Sequence, residues 1–397
     1  MSEWRSLTIA EVCSEAGGGI QTGPFGSQLH ASDYVDDGTP SVMPQNIGDN
    51  RILSDGIARV SDEDMARLER YWLREGDIVY SRRGDVERRA LVRAENDGWL
   101  CGTGCLRIRI GDQEVHDSRF VAYSLGLEES RRWIVRHAVG ATMLNLNTEI
   151  LGRAPISVPG VHEQRAIAEV LGALDDKIAA NDRVIEVADE LRSSLVATSP
   201  STVAVEQIAH QCARSLTPDD FAAIVDHYSL PAFDAGARPD RADRDSIKSN
   251  KLAVDGPSVL MSKLNPRIPR VWEVPTPSAT AVTSTEFVVL APDGVSTSEL
   301  WAALRAPAAT AALASQVAGT SGSHQRVKPA DILALEVADP RVLERGVRAL
   351  IDALGADVES RRTESQRLAT TRNELLPLLM SGKVRVRDAE KRVEEVL

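Results

Sequence analysis

Two long stretches of the chain carry apolar residues at alternating spacings of three and four. The first follows the break at Pro159-Gly160 and closes at Pro200, and the second follows Pro340 and ends near Ser381-Gly382. Such spacing is typical of a heptad seam. The seam positions are Ile167, Leu171, Leu174, Ile178, Asn181 and Ile185 in the first stretch, and Val347, Leu350, Leu354, Val358, Leu368 and Leu375 in the second.

These stretches predict two long helices. About 37 residues at 1.5 Å each give a first helix of roughly 55 Å, which is long for a globular protein. Two such helices can pack on each other, in parallel or antiparallel, and Asn181 would then help to fix their register. The alternative is that each helix lies on its own domain as an ordinary core helix.

The segments that precede the helices mix strands with shorter helices. "GDIVYSR", "CLRIRIGD" and "TEFVVLAP" are β-branched runs bounded by turn residues, whereas residues 119–138 and 298–318 have helical patterns. We therefore expect an α+β protein with globular domains at 1–158 and 200–339, long helices at 159–199 and 340–382, and a C-terminal tail at 383–397.

Short motifs recur at an offset of about 180 residues. Gly76, which opens "GDIVYSR", corresponds to Gly256, which opens "GPSVLMSK". "VGAT" at 139–142 matches "AGTS" at 318–321, and Leu171 and Leu174 match Ile351 and Leu354. Several matches in the same order predict a duplicated unit, each copy consisting of a mixed region and a long helix.

Composition narrows the class of protein. The chain has 397 residues, 43% of them apolar, a net charge of −12 and four cysteines. It has no signal-peptide pattern and no run of about 20 apolar residues, so we expect a cytoplasmic protein with reduced thiols. The acidic balance argues against a nonspecific nucleic-acid coat but leaves room for local basic patches.

Catalytic signatures are missing. The sequence has no phosphate-binding loop, nucleophile elbow or zinc-protease motif, and it lacks the tetrapeptides of amino-methyltransferases. Cys101 and Cys105 lack a second pair that would complete a zinc site. Asp175-Asp176-Lys177 could belong to a cryptic nuclease, but a solvated helix face explains it better. We therefore predict no catalytic and no metal-binding residues.

Positive charge concentrates at equivalent places of the two copies. Residues 81–93 hold five arginines against two acids, and residues 248–270 hold five basic residues against one acid. Arginine suits bidentate contacts to guanine and phosphate, and two separated patches suit duplex DNA. The alternative is that these loops are merely solvated surface. The predicted DNA-facing residues are Arg82, Arg83, Arg88, Arg89, Lys263, Arg267 and Arg270.

Three further segments are candidates for DNA contact. "GPFGSQL" at 23–29 lacks the lysine and helix start of a phosphate-binding loop, so we expect a turn with Phe25 packed inward. Its polar residues then contact DNA or hold the loop. A loop near residue 323 and its equivalent in the first copy are also polar. The candidates are Ser27, Gln28, Asn145, Asn147, Ser323, His324, Gln325 and Arg326.

Taken together, these segments resemble the specificity (S) subunit of type I restriction–modification systems. The resemblance covers nearly the whole chain, although the second half has "HYSLPAFDAG" where the first has "GPFGS". The stretches that carry it include "GPFGSQLHASDYVDDGTPSVMPQNI" (23–47), "LREGDIVYSRRGDVERRALV" (73–92), "HEQRAIAEVLGALDDKIAAND" (162–182), "VLMSKLNPRIPRVW" (259–272) and "RNELLPLLMSGKV" (372–384).

The resemblance implies a particular architecture and mode of action. Two target-recognition domains in an internal pseudo-twofold repeat are separated by two long helices that form an antiparallel coiled coil. Each domain reads one half of a bipartite DNA target, and because the domains differ, the half-sites differ. The helices set the gap and dock two methyltransferase subunits.

The resemblance also assigns the cofactors. They belong to the partners: S-adenosylmethionine to the methyltransferase, and ATP with Mg to a restriction subunit. This chain itself is implied to have no cofactor and no catalysis. The alternatives are a recognition subunit of a modification-only or phage-exclusion system, a cryptic nuclease, and a coiled-coil scaffold with no DNA role.

Overall fold

The computed structural model describes residues 4–140, 142–316 and 325–397. The chain divides into two compact units, which we call the first unit (1–179 and 365–397) and the second unit (180–364). The dividing points lie inside the two long helices, whereas the predicted boundaries lay at the helix ends. Each unit therefore contains one globular domain together with parts of both helices.

The described residues up to 197 form eleven strands and six helices. The strands are β1 (Arg5–Thr8), β2 (Gly17–Thr22), β3 (Tyr34–Val35), β4 (Thr39–Val42), β5 (Asp49–Asn50), β6 (Arg59–Val60), β7 (Ile78–Ser81), β8 (Arg89–Leu91), β9 (Leu100–Cys101), β10 (Cys105–Gly111) and β11 (Pro155–Val158). The helices are α1 (Ile9–Glu15), α2 (Asp62–Arg67), α3 (Ser118–Gly126), α4 (Glu128–His137), α5 (Thr148–Gly152) and α6 (Val161–Ala197).

The rest of the described chain supplies eleven strands and six helices. The strands are β12 (Thr202–Ala204), β13 (Ala209–Cys212), β14 (Ser215–Leu216), β15 (Ile224–Tyr228), β16 (Asp240–Asp243), β17 (Lys251–Ala253), β18 (Ser258–Ser262), β19 (Val271–Val274), β20 (Ala281–Thr283), β21 (Phe287–Pro292) and β22 (Glu336–Ala338). The helices are α7 (Leu230–Asp234), α8 (Thr297–Arg305), α9 (Pro307–Gln316), α10 (Pro329–Leu333), α11 (Arg345–Met380) and α12 (Val386–Glu394).

The strand order shows the repeat. The main sheet of the first unit has the order β2-β10-β7-β8, extended by β5, and that of the second unit has the order β13-β21-β18-β19. All three pairings among the four equivalent strands are antiparallel in both sheets. A two-stranded ribbon accompanies each sheet, β1 with β11 and β12 with β22. Corresponding strands therefore sit in corresponding places.

A second sheet in each unit, which we call the accessory sheet, distinguishes the units. In the first unit it has four strands in the order β3-β6-β4-β9, and in the second it has five in the order β14-β17-β20-β15-β16. Most of its strands come from the segment that joins the first and second main-sheet strands in chain order, β2 to β7 in the first unit and β13 to β18 in the second. The two copies thus share a frame and differ in the part inserted into it.

The long helices pack through a seam with a polar centre. Ile167, Leu171 and Leu174 are buried in the core of the first unit with Leu368 and Leu375 of α11. At the middle Asn181 is buried and donates to Glu364 at 2.7 Å, while Arg361 donates to Asn181 at 3.2 Å. A polar cluster therefore interrupts the apolar seam at Asn181, and such a cluster fixes the register of two packed helices.

Pairs within the second unit give the helix direction. Moving along α6 from Asn181 to Arg192, the facing positions on α11 run backwards from Glu364 to Gly355. The helices are antiparallel there. Ile178, Ile185, Val347 and Leu354 are half-buried, and Val358 is buried.

One predicted seam position is wrong. Leu350 is 44% exposed, and Ile351 is buried in its place. On α11 the buried positions run Ile351, Gly355 and Val358, one residue out of phase with Leu350. Gly355 explains the shift, because a Cβ there would lie 2.0 Å from Ser298 Oγ. The glycine admits a side chain of the globular domain and so fixes which face of α11 turns inward.

The C-terminal segment is not a plain tail. Residues 386–394 form α12, whose Ala389 and Val393 are buried in the core of the first unit. Within the described residues, no helix combines the length and apolar composition needed to cross a bilayer.

Candidate nucleic-acid interface

A loop with three arginines connects β7 to β8 in the first unit. This cationic loop (82–88, with Arg89 opening β8) is held from one side by the flanking segment 139–147. Leu146 N donates to Arg82 O at 2.8 Å, and Gly84 N donates to Leu144 O at 3.0 Å. Asn145 forms β-bridges with Arg83 and Val139. Two segments that lie far apart in sequence therefore form one surface.

The arginines of the cationic loop have different partners. Arg88 is exposed and pairs with Asp85 at 2.8 Å. Arg82 and Arg83 have no carboxylate partner within the described part of the chain. Burial, followed by the nearby charge of Arg83, lowers the pKa of Arg82 from its ordinary value. Uncompensated positive charge is therefore concentrated at two neighbouring residues.

The prediction that Arg89 faces DNA is wrong. Arg89 is buried, and its Nε donates to the Ala122 carbonyl at 2.6 Å. Gly126 makes room for it, because a Cβ there would lie 1.8 Å from an Arg89 guanidinium nitrogen. This side chain tethers α3 to the sheet. The count of arginines in the sequence does not distinguish Arg89 from its neighbour Arg88. Adjacent residues at a strand point to opposite faces, so one can be buried while the other is exposed.

The loop 23–29 lies next to the cationic loop. Phe25 is 50% exposed, which corrects the prediction that it packs inward, and the Arg82 guanidinium lies 5.1 Å from its ring centre. Gln28 turns inward, where its Oε1 accepts hydrogen bonds from the Phe25 amide at 3.2 Å and from the Tyr71 hydroxyl at 2.9 Å. Ser27 is exposed. Gln28 therefore shapes the loop, and Ser27 remains available.

The two asparagines of the flanking segment have different surroundings. Asn147 caps α5, since its Oδ1 accepts from Ile150 N at 2.7 Å. Asn145 is half-buried, and its backbone pairs with Val139. Val139 and Met143 are exposed apolar residues in the same segment. Of the two asparagines, only Asn145 has a side chain that is not used by a helix cap.

The second unit repeats this arrangement. Its cationic loop (263–270) connects β18 to β19 and is held by the flanking segment 325–327. Leu264 forms a β-bridge with Arg326, and Asn265 N donates to Gln325 O at 2.9 Å. The segment around Gln325 therefore occupies the place that Asn145 has in the first unit. Ser323 and His324 lie outside the described residues.

Two arginines of the second unit that were predicted to contact DNA are paired with acidic side chains. Arg270 pairs with Asp234 through two hydrogen bonds of 2.6 and 2.9 Å, and Arg326 pairs with Glu286 at 2.9 Å. Lys263 and Arg267 have no such partner within the described residues. Each cationic loop thus presents two uncompensated cations.

An arginine at position 192 of the first long helix was not predicted, and it joins α6 to the globular domain. Arg192 is fully buried, and its Nη1 lies 2.6 Å from Glu273 Oε2 on β19. Its guanidinium stacks on Trp301 at 4.0 Å, and Ser298 donates to Glu273 at 2.6 Å. The helix is therefore locked to the main sheet of the second unit.

The equivalent residue of the second long helix is Arg372, 180 positions later. It pairs with Asp175 of α6 and with Asp49 of β5, both at 2.6 Å. Asp175 also accepts from Tyr123 at 2.7 Å. Arg192 and Arg372 lie at the same position of the 180-residue repeat, and this match was the feature of the sequence that could have identified them. We call these two residues the arginine anchors.

The described residues contain no group of three or more histidine, cysteine or acidic side chains that could hold a metal ion. Burial raises the pKa of Cys101 to about 12 and the pKa of Cys105 well above its usual value. Both thiols thus stay protonated near neutral pH, and thiolate is the form that binds metal.

Residues 1–188 match the family model described as "Type I restriction modification DNA specificity domain". The match covers 188 of the 397 residues and ends inside α6, so the first half of the chain contains a domain of this specificity family.

One solved structure shares the fold over nearly the whole chain. The S subunit of a type I restriction–modification system from M. genitalium superimposes with a TM-score of 0.55 at 15% identity, covering 95% of this chain and 96% of that one. The HsdS subunit from Thermoanaerobacter tengcongensis is also 15% identical, with 96% of this chain and 97% of that one covered and a TM-score of 0.37. The first comparison shows that the chain has the fold of a specificity subunit.

Proposed function

We propose that this chain is the noncatalytic DNA-recognition subunit of a type I restriction–modification complex, with each globular domain binding one half of a bipartite duplex target. The observation that carries the proposal is the matched pair of cationic loops. In both, two cations are left without carboxylate partners among the described residues, while neighbouring arginines are neutralised. Such residues suit phosphate oxygens and the acceptor edge of guanine.

Overall acidity is compatible with this proposal. The net charge is −12, yet the stretches around both cationic loops carry an excess of positive charge. DNA would be attracted to these two places and repelled from the acidic surface elsewhere, which limits nonspecific binding. Because the accessory sheets of the two units differ in strand number and order, we propose that the two half-sites have different sequences.

The long helices supply the surface for protein partners in this proposal. On α6, Val184, Val187 and Leu191 are exposed at spacings of three and four. Such an apolar stripe is suited to helix packing. Two methyltransferase subunits would dock along the helices and bring S-adenosylmethionine, and a restriction subunit would bring ATP and Mg. The complex would act in the cytoplasm, and this chain would bind no cofactor itself.

The first test is methylome sequencing of cells that express this chain with its methyltransferase subunit. A bipartite methyladenine motif that requires both chains is expected. A methylome without such a motif, or one that is unchanged when this chain is omitted, would refute the proposal.

A second test assigns the half-sites to the units. The assembled complex is titrated with duplexes in which either half of the motif is scrambled. Arg82→Ala/Arg83→Ala should abolish discrimination at one half, and Lys263→Ala/Arg267→Ala should abolish it at the other. Equal effects of both double variants on both halves would contradict the assignment of one half-site to each domain.

A further inference from the structure

Hydrogen bonds hold the backbone that carries the exposed ring of Phe25. Gln28 accepts a hydrogen bond from the Phe25 amide, and the Phe25 carbonyl accepts from Gln28 N at 2.8 Å and Leu29 N at 3.2 Å. Arg67 donates to the Gln28 carbonyl at 2.6 Å. The loop therefore presents its aromatic residue with little conformational freedom left to lose on binding.

The start of the loop is equally constrained. Gly23 N donates to the Cys105 carbonyl at 2.9 Å, and a Cβ at Gly23 would lie 2.2 Å from the Gly102 carbonyl oxygen. Only glycine permits this close approach. The start of the loop is thus seated directly on the chain that leads into β10.

The group next to the ring has an unmet hydrogen-bonding requirement. The Arg82 guanidinium lies over the Phe25 ring, and its Nε is shielded from solvent without a hydrogen-bond partner in the described structure. Buried donors normally find acceptors. Arg82 also has no carboxylate partner among the described residues, so an aromatic ring and an uncompensated guanidinium stand side by side. Together they suit a ligand with both a π face and acceptor atoms.

We infer that Phe25 and Arg82 form a base-stacking subsite, in which the Phe25 ring packs on the face of a nucleobase at a kinked step of the bound half-site. Arg82 then binds an acceptor on that base or on its phosphate. Aromatic side chains stack on any base, and apolar side chains inserted at a base step kink the duplex. This inference rests on the proposed DNA-binding function and concerns only the first unit.

Charge favours a nucleic acid over a protein as the occupant. Arg82 and Arg83 are adjacent cations that lack carboxylate partners among the described residues. Their positive charges repel each other, and a bound anion would relieve this repulsion. Val139 and Met143 add exposed apolar surface in the flanking segment. A stacked base with its phosphates satisfies both features.

The test uses the full complex with its methyltransferase subunits and a duplex carrying its methylation motif. 2-Aminopurine is placed in turn at each position of the first half-site except the methylated adenine. Binding should raise the fluorescence at one position several-fold, because unstacking removes quenching. Phe25→Ala should abolish that rise and weaken binding about tenfold to a hundredfold.

Two further variants separate stacking from simple apolar contact. Phe25→Trp should keep the affinity, since it offers a larger ring, while its indole quenches the 2-aminopurine stacked on it and reduces the fluorescence rise. Phe25→Leu should bind the duplex less tightly than Phe25→Trp, and equal affinities would show simple apolar contact instead of stacking. Val115→Ala removes an exposed apolar residue that lies outside the loop 23–29, the cationic loop and its flanking segment. This control variant should change neither the fluorescence rise nor the affinity.

The outcomes distinguish the two proposals. If the wild-type complex binds the bipartite duplex but no position responds and Phe25→Ala binds within about twofold of wild type, the stacking subsite is refuted and the DNA-binding function stands. If the wild-type complex shows no preference for the bipartite duplex, the proposed function itself fails.

Discussion

Both units contain an arginine anchor and a cationic loop, but the residues around these two features differ between the units. In the second unit the arginine anchor is largely shielded from solvent: Arg192 and its partner Glu273 are buried, Trp301 covers the guanidinium, and the second acid, Asp189, is only 19% exposed. In the first unit Arg372 reaches one shielded acid, Asp175, and one largely exposed acid, Asp49. The same helix position thus anchors through a sealed ion pair in one unit and a half-solvated one in the other.

The cationic loops differ in a parallel way. The first unit sets an aromatic residue, Phe25, against its cation, whereas the loop of the second unit has an exposed aliphatic residue, Ile268, next to Arg267. What the units share is backbone placement and two uncompensated cations. What they vary is the chemistry next to those cations. Under the proposed function, a duplicated frame can therefore keep its contact with the DNA backbone while changing the bases that it selects.

The largest expected effect comes from breaking the buried anchor. Arg192→Met leaves Glu273 buried without its cation, which should lower the free energy of unfolding by roughly 3–5 kcal/mol. Urea denaturation of the purified chain measures this. The double variant Arg192→Met/Glu273→Met should recover most of the loss, since it removes both charges together. A double variant as unstable as the single one would show that the ion pair is not the cause.

Arg372→Met should cost less, about 1–3 kcal/mol, because Asp175 keeps its hydrogen bond to Tyr123 and Asp49 can be hydrated. The same urea titration measures this loss beside that of Arg192→Met. A loss equal to that of Arg192→Met would remove the distinction between a sealed and a half-solvated anchor.

Removing the uncompensated cations should weaken DNA binding. Arg82→Ala/Arg83→Ala and Lys263→Ala/Arg267→Ala should each reduce the affinity of the assembled complex at least about tenfold, because each good contact contributes about 1–3 kcal/mol. Electrophoretic mobility shift at fixed salt measures this. If one pair proves silent, the two loops do not play equivalent roles.

The salt dependence separates phosphate contacts from base contacts. For each Lys or Arg that binds a phosphate, the slope of log K against log salt should become shallower by about one on substitution with alanine. Affinities measured at several salt concentrations give this slope for Arg82, Arg83, Lys263 and Arg267 one at a time. A variant that loses affinity with an unchanged slope contacts a base.

The smallest effects are expected where an arginine already has an acid. Arg270→Ala breaks a pair with Asp234 that is partly open to solvent, so the free energy of unfolding should fall by no more than about 1 kcal/mol. Its DNA affinity should stay within about threefold of wild type, by the same limit on exposed ion pairs. A loss as large as that of Lys263→Ala/Arg267→Ala would show that DNA displaces Asp234.

Much of the architecture was readable from the sequence. Heptad spacing indicated both long helices, because a seam repeats over many turns and tolerates local irregularity. The 180-residue repeat indicated the duplicated sheet for a similar reason: several weak matches in the same order reinforce one another. The cationic loops were found as charge clusters, and a cluster is visible without knowing which way any side chain points.

Individual side chains were less predictable. Arg88 and Arg89 look alike in sequence, yet one is exposed and the other lies under α3. Leu350 fits the apolar pattern, yet the glycine at 355 rotates the buried face of α11 by one position. Phe25 is the kind of residue expected in a core, yet a hydrogen-bonded loop holds it in solvent.

The sequence by itself determined the periodic features: two heptad helices, two copies of one α+β frame, and a surplus of arginine at matched places. These follow from local spacing and composition, which do not depend on distant parts of the chain. Only the tertiary structure decided which cations lack an acid, which arginines became anchors, and which apolar residues stand in solvent. Each of those depends on a partner far away in sequence, such as Glu273 for Arg192 or Arg82 for Phe25, and therefore on packing that no local pattern encodes.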